Sequence, residues 1–230
     1  MTVPNQSRPT PTLQIGKVRI TGAVARLLQI VILGGIVVLL VWQRPSIGML
    51  LSGGIWLGFM TYWAALARTP APTVKAESRA ASVKHGAWRE IGLLLLLIPL
   101  PWLNGSILPT ALWHVPVGLA VQLAGAWLYL RGKRELGRQW SSAISIKADH
   151  QLIRTGPYRF VRHPMYTAMI TMAAGTAIVS TRVHAAIGVA LVTWSYLVKI
   201  SVEERWLREE FGAAHDEYRR TSWKLLPPIY

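Results

Sequence analysis

Apolar runs at residues 23–42, 47–67, 91–108, 113–130, 165–181 and 184–198 alternate with polar connections along the chain. The first four have about the length needed to cross ~30 Å of hydrocarbon at ~1.5 Å per residue, and the last two barely reach it. The pattern predicts an all-α, polytopic integral membrane protein with about six membrane helices, the last two forming a short helical hairpin. Arg44-Pro45 is a very short connection, so the first two runs should pair as an antiparallel hairpin, and Gly54-x-x-x-Gly58 would allow close helix approach there. Pro99 and Pro101 should kink or end the third run. Beyond the last run, residues 199–219 read as a charged cytosolic helix with Trp206, Leu207, Phe211 and Tyr218 as its apolar elements, and residues 226–230 should end extended. The chain thus divides into three regions: a flexible arm over 1–22, a four-helix membrane region over 23–130, and a region over 131–230 that carries the candidate chemistry. Arg44 and Pro45, not small residues, come after the first apolar run, which therefore reads as an anchor rather than a cleaved signal peptide.

Composition strengthens the membrane reading and narrows the chemistry. Of 230 residues, 52% are hydrophobic and only 15% charged, a balance unusual for a soluble chain of this length. The formal charge is +15, which by itself would suggest nucleic acid, but the basic residues fall between apolar runs and do not gather on one polar domain. Lys and Arg concentrate in the N-terminal arm, in 68–90, in 131–164 and in the C-terminal tail, leaving only Arg44 and Arg182 in the intervening connections. That alternation places both termini in the cytoplasm, with either a bacterial inner membrane or the endoplasmic reticulum as the setting and membrane lipids as neighbours. The absence of cysteine excludes disulfides, thiolate catalysis and cysteine-ligated metal.

One polar stretch resists a packing explanation. Residues 154–166, Arg-Thr-Gly-Pro-Tyr-Arg-Phe-Val-Arg-His-Pro-Met-Tyr, lie between two apolar regions, where clustered polar groups are costly and mark a functional site. If Tyr158 to Arg162 make one helical turn, Arg159, Arg162 and His163 crowd one side of it. The final hairpin leaves and returns to the same side of the membrane, so Glu203-Glu204 would face this basic wall across its mouth. Lys199 precedes Glu203 by one helical turn and can pair with it. The purely structural alternative is a solvated amphipathic helix beside a basic cytoplasmic loop.

The two elements together are more specific. Gly156-Pro157-Tyr158, Arg162-His163-Pro164-Met165-Tyr166, Glu203-Glu204, Leu207, Phe211-Gly212, Tyr218 and Leu226-Pro227 resemble the isoprenylcysteine carboxyl methyltransferase family, with related membrane methyltransferases of phospholipid amines sharing the general pattern. The resemblance runs from about Leu136 to the C-terminus; Ala168 departs from it, standing where the family often has Gly. It implies S-adenosylmethionine bound at the cytoplasmic mouth and a lipophilic acceptor entering from the bilayer. Tyr158, Arg159, His163, Tyr166, Glu203 and Glu204 are then the cofactor-binding candidates. Arg159 or Arg162 would hold the carboxylate of the zwitterionic cofactor and a glutamate its ammonium. Tyr158, Tyr166 and Trp206 would face adenine or the sulfonium. A carboxylate acceptor needs only an orienting cation, Arg162 or Lys199, whereas an amine or thiol needs a base, Glu203 or Glu204. Arg162, Lys199 and Glu204 are thus the catalytic candidates, and the arginines beside His163 argue against a metal site. Two competing readings are an NADPH-dependent membrane sterol-type reductase, disfavoured by Met165 and the paired glutamates, and a non-catalytic membrane scaffold or small transporter, disfavoured by nearly charge-free span interiors.

Overall fold

A computed structural model describes residues 12–15, 18–21, 46–65, 71–98, 100–141 and 144–227. The chain divides into two units, Met1–Pro45 and Ser46–Tyr230. In the first, β1 (Thr12–Ile15) pairs antiparallel with β2 (Val18–Thr21), Thr12 opposite Thr21, within the stretch expected to be a flexible arm. Their Thr, Val and Ile content is what a pleated ribbon favours. The expected first span, 23–42, lies outside the described residues.

The second unit contains α1 (Ile47–Ala65), β3 (Thr73–Ala76), α2 (Arg79–Leu97), α3 (His114–Leu136), β4 (Ser145–Lys147), α4 (Pro164–Ser180), α5 (Val183–Phe211) and α6 (Ala213–Thr221). Helix dominates, as the hydrophobic pattern predicts, and α5 is long and apolar enough to cross a membrane. Several boundaries differ from expectation. α2, where the third span was expected, begins at Arg79, inside the supposed polar connection, because Ser78 caps it by accepting a hydrogen bond from the Ala81 amide at 3.2 Å. It ends at Leu97, where Pro99 and Pro101 stop it, as expected of them, and Pro101–Leu103 form a 3-10 turn. The charged helix expected at 199–219 is not separate: α5 runs unbroken through Lys199, Glu203 and Glu204 to Phe211. Gly212, at φ +51°, turns the chain into α6. Of the expected extended end, residues 228–230 lie outside the described residues, and Leu226 and Pro227 form a bend and turn.

Two helix pairs pack backbone to backbone. A Cβ added at Gly175 of α4 would stand 2.6 Å from both Gly118 O and Gln122 N of α3, and one at Gly118 would stand 2.7 Å from Gly175 O. Gly92 of α2 and Gly188 of α5 make the same reciprocal contact, each hypothetical Cβ meeting the other's carbonyl oxygen at 2.6–2.7 Å. Close approach of this kind is how helices associate when lipid removes the usual hydrophobic drive. A Cβ at Gly54 or Gly58 meets nothing within 4 Å among the described residues; the expected partner of that face, span 23–42, lies outside them. A group of polar side chains inside the bundle pairs internally. Ser52 Oγ donates to Gln122 Oε1 (2.8 Å), Gln122 Nε2 donates to Ser52 O (3.0 Å), and Trp56 Nε1 donates to Thr176 Oγ1 (2.9 Å), joining α1, α3 and α4. Around them Trp56, Phe59, Leu96, Met169, Met172 and Val192 form the core.

The strands were not legible in the sequence. β3 pairs antiparallel with β4, Thr73 opposite Lys147 and Ala76 opposite Ser145. Glu77 locks the ribbon: its amide donates to Ile144 O (3.0 Å), its Oε1 accepts from the Ile144 amide (3.1 Å), and its Oε2 meets His85 Nε2 at 2.8 Å. Burial pushes the Glu77 carboxyl up, but His85 and the Ile144 amide more than offset this and hold it below its ordinary range. The ribbon therefore ties 71–77 to 138–148, the segment that forms one wall of the site.

Candidate active site

The site begins with a short 3-10 helix at Gly156–Arg159, not with the full turn expected over Tyr158 to Arg162. Beyond it the chain runs extended, and residues 162 and 163 hydrogen-bond the C-terminal segment: the Arg162 amide donates to Trp223 O (2.8 Å) and the His163 amide to Lys224 O (3.2 Å). Pro164 then opens α4, leaving His163 as its N-cap residue outside the helical region at φ −121°, ψ 57°. This geometry separates the three basic residues. Arg162 and His163 turn inward, whereas Arg159 is exposed with its guanidinium 5.7 Å from the Phe160 ring and takes no part in lining the cavity. A 3-10 turn followed by extended chain does not place residues three apart on one face as an α-helix does.

The hairpin of α4 and α5 brings the acidic residues to this wall. Arg162 Nε donates to Glu204 Oε1 at 2.9 Å, with the two side chains only 8% and 12% exposed. Arg162 Nη1 also donates to Arg219 O (3.2 Å) and to Ser222 O. His163 Nε2 lies 3.3 Å from Glu204 Oε1 and its Nδ1 3.8 Å from Glu203 Oε2, forty residues away in sequence. The two glutamates have different places. Glu203 lines the cavity and accepts a hydrogen bond from Tyr166 Oη at 2.8 Å. Glu204 stands behind the wall, clamping Arg162 and His163, because successive helical residues point about 100° apart. Arg162, expected as an orienting cation, lines the cavity while paired with Glu204, which does not line it. Both are held to each other.

Inside the cavity the aromatic rings form a column. His163 stacks on Tyr166 (5.7 Å between centroids, 10° between planes), and Tyr166 on Tyr196 of α5 (4.8 Å, 21°). Lys199 places its Nζ 5.5 Å from the Tyr166 ring centre. Tyr158 lines the cavity too, and Tyr218 Oη donates to its carbonyl at 2.6 Å. Burial pushes the Tyr158 hydroxyl well above its ordinary value, so it remains a neutral donor. The whole encloses about 360 Å³, within the range of small-ligand sites.

Sequence reasoning missed the opposite wall. Gln139, Trp140, Ile144, Ile146 and His150 line it, from β4 and the chain on either side of it, which β3 pins in place. Gln139 donates through Nε2 to Asp149 O (3.1 Å), and its Oε1 is buried with no hydrogen-bond partner among the described residues. Nothing in the spacing around Gly137 signals it. Burial also pushes His150 below its ordinary range; its Nδ1 accepts from the Lys147 amide at 3.1 Å. Among the described residues no cluster of His, Asp or Glu has the makings of a metal site.

Fold and site together define a mostly helical protein whose polar cavity presents an acid, a cation and stacked aromatic rings beside an apolar bundle. Residues 118–209, from α3 into α5, match the model of the isoprenylcysteine carboxyl methyltransferase family, which bears out the resemblance read from the motifs. The chain is 32% identical over 121 residues to a probable protein-S-isoprenylcysteine O-methyltransferase of Oryza sativa subsp. indica, covering 51% of this chain and 63% of the relative. It is 24% identical over 163 residues to the protein-S-isoprenylcysteine O-methyltransferase of Dictyostelium discoideum, covering 68% of each. The chain thus spans less than two thirds of the rice relative's length. A solved structure of the eukaryotic intramembrane Ras methyltransferase of this family aligns with 68% of this chain and 55% of its own, at 20% identity and a TM-score of 0.44.

Proposed function

We propose that the protein is an integral membrane methyltransferase that binds S-adenosylmethionine in this cavity and methylates a lipophilic acceptor. The observation that carries the reading is the His163–Tyr166–Tyr196 column, with Glu203 hydrogen-bonded to its middle ring, inside the segment that matches the methyltransferase family. The residues fit that cofactor. Glu203 suits its ammonium, Lys199 and His163 its carboxylate, and Tyr158 and Tyr166 offer ring faces to the adenine or the cation. When bound, S-adenosylmethionine supplies an electrophilic methyl on a sulfonium sulfur. The chain's part is to position both reactants and exclude water between them. Arg162 and Glu204 support this indirectly, by fixing His163.

Paired variants test the shared site. His163→Ala and Glu203→Gln should each weaken S-adenosylmethionine binding about ten- to a hundredfold, the worth of a charge-assisted hydrogen bond. Their double mutant should lose less than the sum, since contacts to one ligand are coupled. Calorimetric titration of the detergent-solubilised protein reads both. Strictly additive losses, or binding of NADPH in place of S-adenosylmethionine, would overturn the assignment.

We also propose six crossings with both termini cytoplasmic. Support comes from the Lys/Arg alternation and from large apolar side chains pointing outward, such as Leu57, Trp127 and Trp194, each more than half exposed. The native chain has no cysteine, so Ala213→Cys introduces a unique thiol on exposed α6. It should react with an impermeant maleimide only after the membrane is opened. Labelling from outside intact cells would refute the orientation.

A further inference from the structure

The outward stripe of α3 changes character along its length. On one side of the helix Gly118, Gln122 and Gly125 are buried, the two glycines against α4. The opposite side carries exposed Ala120, Leu123 and Trp127 and then Arg131 and Arg134, which are exposed as well. Trp127, Arg131 and Arg134 stand at i, i+4 and i+7, so they follow one another along a single face. We infer that Arg131 and Arg134 bind the phosphate of an anionic phospholipid, whose acyl chains run down the apolar part of the same stripe.

Three observations converge. First, both cations are held in place without being neutralised. Arg134 Nη2 donates to Tyr62 Oη of α1 at 2.8 Å, and the Arg131 guanidinium lies 5.9 Å from the Trp127 ring centre. Among the described residues neither has a carboxylate within salt-bridge distance, whereas Arg154, Arg208 and Arg219 meet Glu217, Asp216 and Glu204 at 3.7, 3.2 and 3.9 Å. Glu135 follows Arg134 in sequence but is turned about 100° away by the helix, and its carboxylate lies beside Gly156. Second, the groups suit a phosphate. A planar guanidinium takes two phosphate oxygens through parallel hydrogen bonds. The Tyr62 phenol accepts from Arg134 through its oxygen and can still donate its own proton. Third, the order of groups along the stripe matches that of a lipid. Tryptophan favours the edge of the hydrocarbon, and Trp127 to Arg134 covers roughly 10 Å, enough to reach through the headgroup layer. Residues 113–130 below carry no Lys, Arg, Asp or Glu. An acidic protein would match the arginines and leave exposed Leu123 and Trp127 unexplained; a phospholipid carries its anion and its apolar part in this sequence.

A general surplus of Lys and Arg on one side of a membrane acts as a diffuse field on all anionic lipid. Two guanidinium groups fixed by a phenol and an indole on two helices act instead as a site, with a first lipid that binds tighter than the rest. Such a lipid would join α1 to α3 at their membrane-surface ends. The inference stands apart from the reaction assigned to the cavity, whose lining includes none of Tyr62, Trp127, Arg131 and Arg134.

Native mass spectrometry of the full-length protein in detergent, titrated with dioleoyl phosphatidylglycerol or dioleoyl phosphatidylcholine, tests the site. The first phosphatidylglycerol should bind about 25-fold tighter than phosphatidylcholine, about fivefold for each arginine. Arg131→Gln and Arg134→Gln should each lower that preference about fivefold, and the double mutant should bring it close to one. Arg134→Lys should keep more of it than Arg134→Gln does. Arg220→Gln removes an equally exposed charge from α6, outside the stripe, and should leave the preference unchanged. Inorganic phosphate should displace the lipid only at much higher concentration, because it lacks the apolar part. Equal binding of the two lipids by the wild type would overturn the inference. So would an Arg220→Gln protein that loses as much preference as Arg134→Gln, since the effect would then be the general field. Phosphate competing as well as the lipid would overturn it too, by showing that the apolar stripe takes no part. Should the arginine variants fail to fold, Tyr62→Phe decides: it changes no charge, it should lower the preference at least about twofold, and a preference left intact overturns the site.

Discussion

Glu204→Gln should destabilise the protein by about 3 kcal/mol, near the lower end of the cost of removing one partner from a buried ion pair. Arg162 and Glu204 are 8% and 12% exposed, so neutralising the glutamate leaves a guanidinium shut away from water with two backbone carbonyls and the Ser222 hydroxyl to hold it. Those carbonyls are the reason for choosing the lower end. His163 loses its 3.3 Å neighbour at the same time, and with it the contact that fixes its ring against Tyr166. Thermal unfolding in detergent should therefore show a lowered midpoint, and S-adenosylmethionine affinity should fall with it although Glu204 does not line the cavity. Pairing Glu204→Gln with Arg162→Gln separates the two causes. If the lone charge is responsible, the double mutant should be more stable than Glu204→Gln alone. A single-mutant change within about 0.5 kcal/mol would mean that the pair is effectively solvated.

Gly175→Val should have a comparable or larger effect by a different route. Its Cβ would lie 2.6 Å from Gln122 N and from Gly118 O, and backbone atoms, unlike side chains, have no alternative rotamer to retreat to. The α3–α4 seam must open, and overpacking of this kind costs about 1–3 kcal/mol or more. The network of Ser52, Gln122 and Thr176 crosses the same seam and would be pulled apart as well, leaving polar groups unpaired in an apolar interior at about 1–3 kcal/mol each. Gly86→Val serves as the control, since its Cβ would meet only the far end of the Arg89 side chain, at 3.8 Å, and its midpoint should move much less. Equal melting of the two variants would show that the glycine contact is not what sets the spacing of α3 and α4.

Much of this was legible in the sequence where it depended on hydrophobic runs and on topology. The meeting of His163 with Glu203 comes from a hairpin that leaves and returns to one side, and it needed no knowledge of side-chain geometry. The places of Arg159 and Glu204 could not be read in that way. Each depends on the rotation of a residue by a fraction of a turn, set by a 3-10 helix in one case and by an uninterrupted α5 in the other. The start of α2 was hidden because Lys84, His85, Arg89 and Glu90 read as a polar loop. They are helical because this stretch packs against α5, with Ser195 Oγ donating to His85 O at 2.5 Å and Arg89 and Glu90 facing the cavity. The wall carrying Gln139 and His150 was hidden for a further reason. It belongs to an irregular segment held by a long-range ribbon, and neither irregular backbone nor long-range pairing leaves a periodic trace.

The Gly92–Gly188 contact also orders events during biosynthesis. Helix α2 is complete by Leu97, but the helix it meets begins only at Val183, after residues 98–182 have been made. α3 and α4, separated only by residues 137–163, can associate as soon as both have emerged. For most of translation α2 therefore waits with its glycine groove open, and the β3 strand waits likewise for β4. Non-local pairings of this kind form late and slowly. The enclosure of the cavity is thus the closing step of assembly, and a nascent chain stalled before α5 would present quality-control factors with an unfilled helix groove.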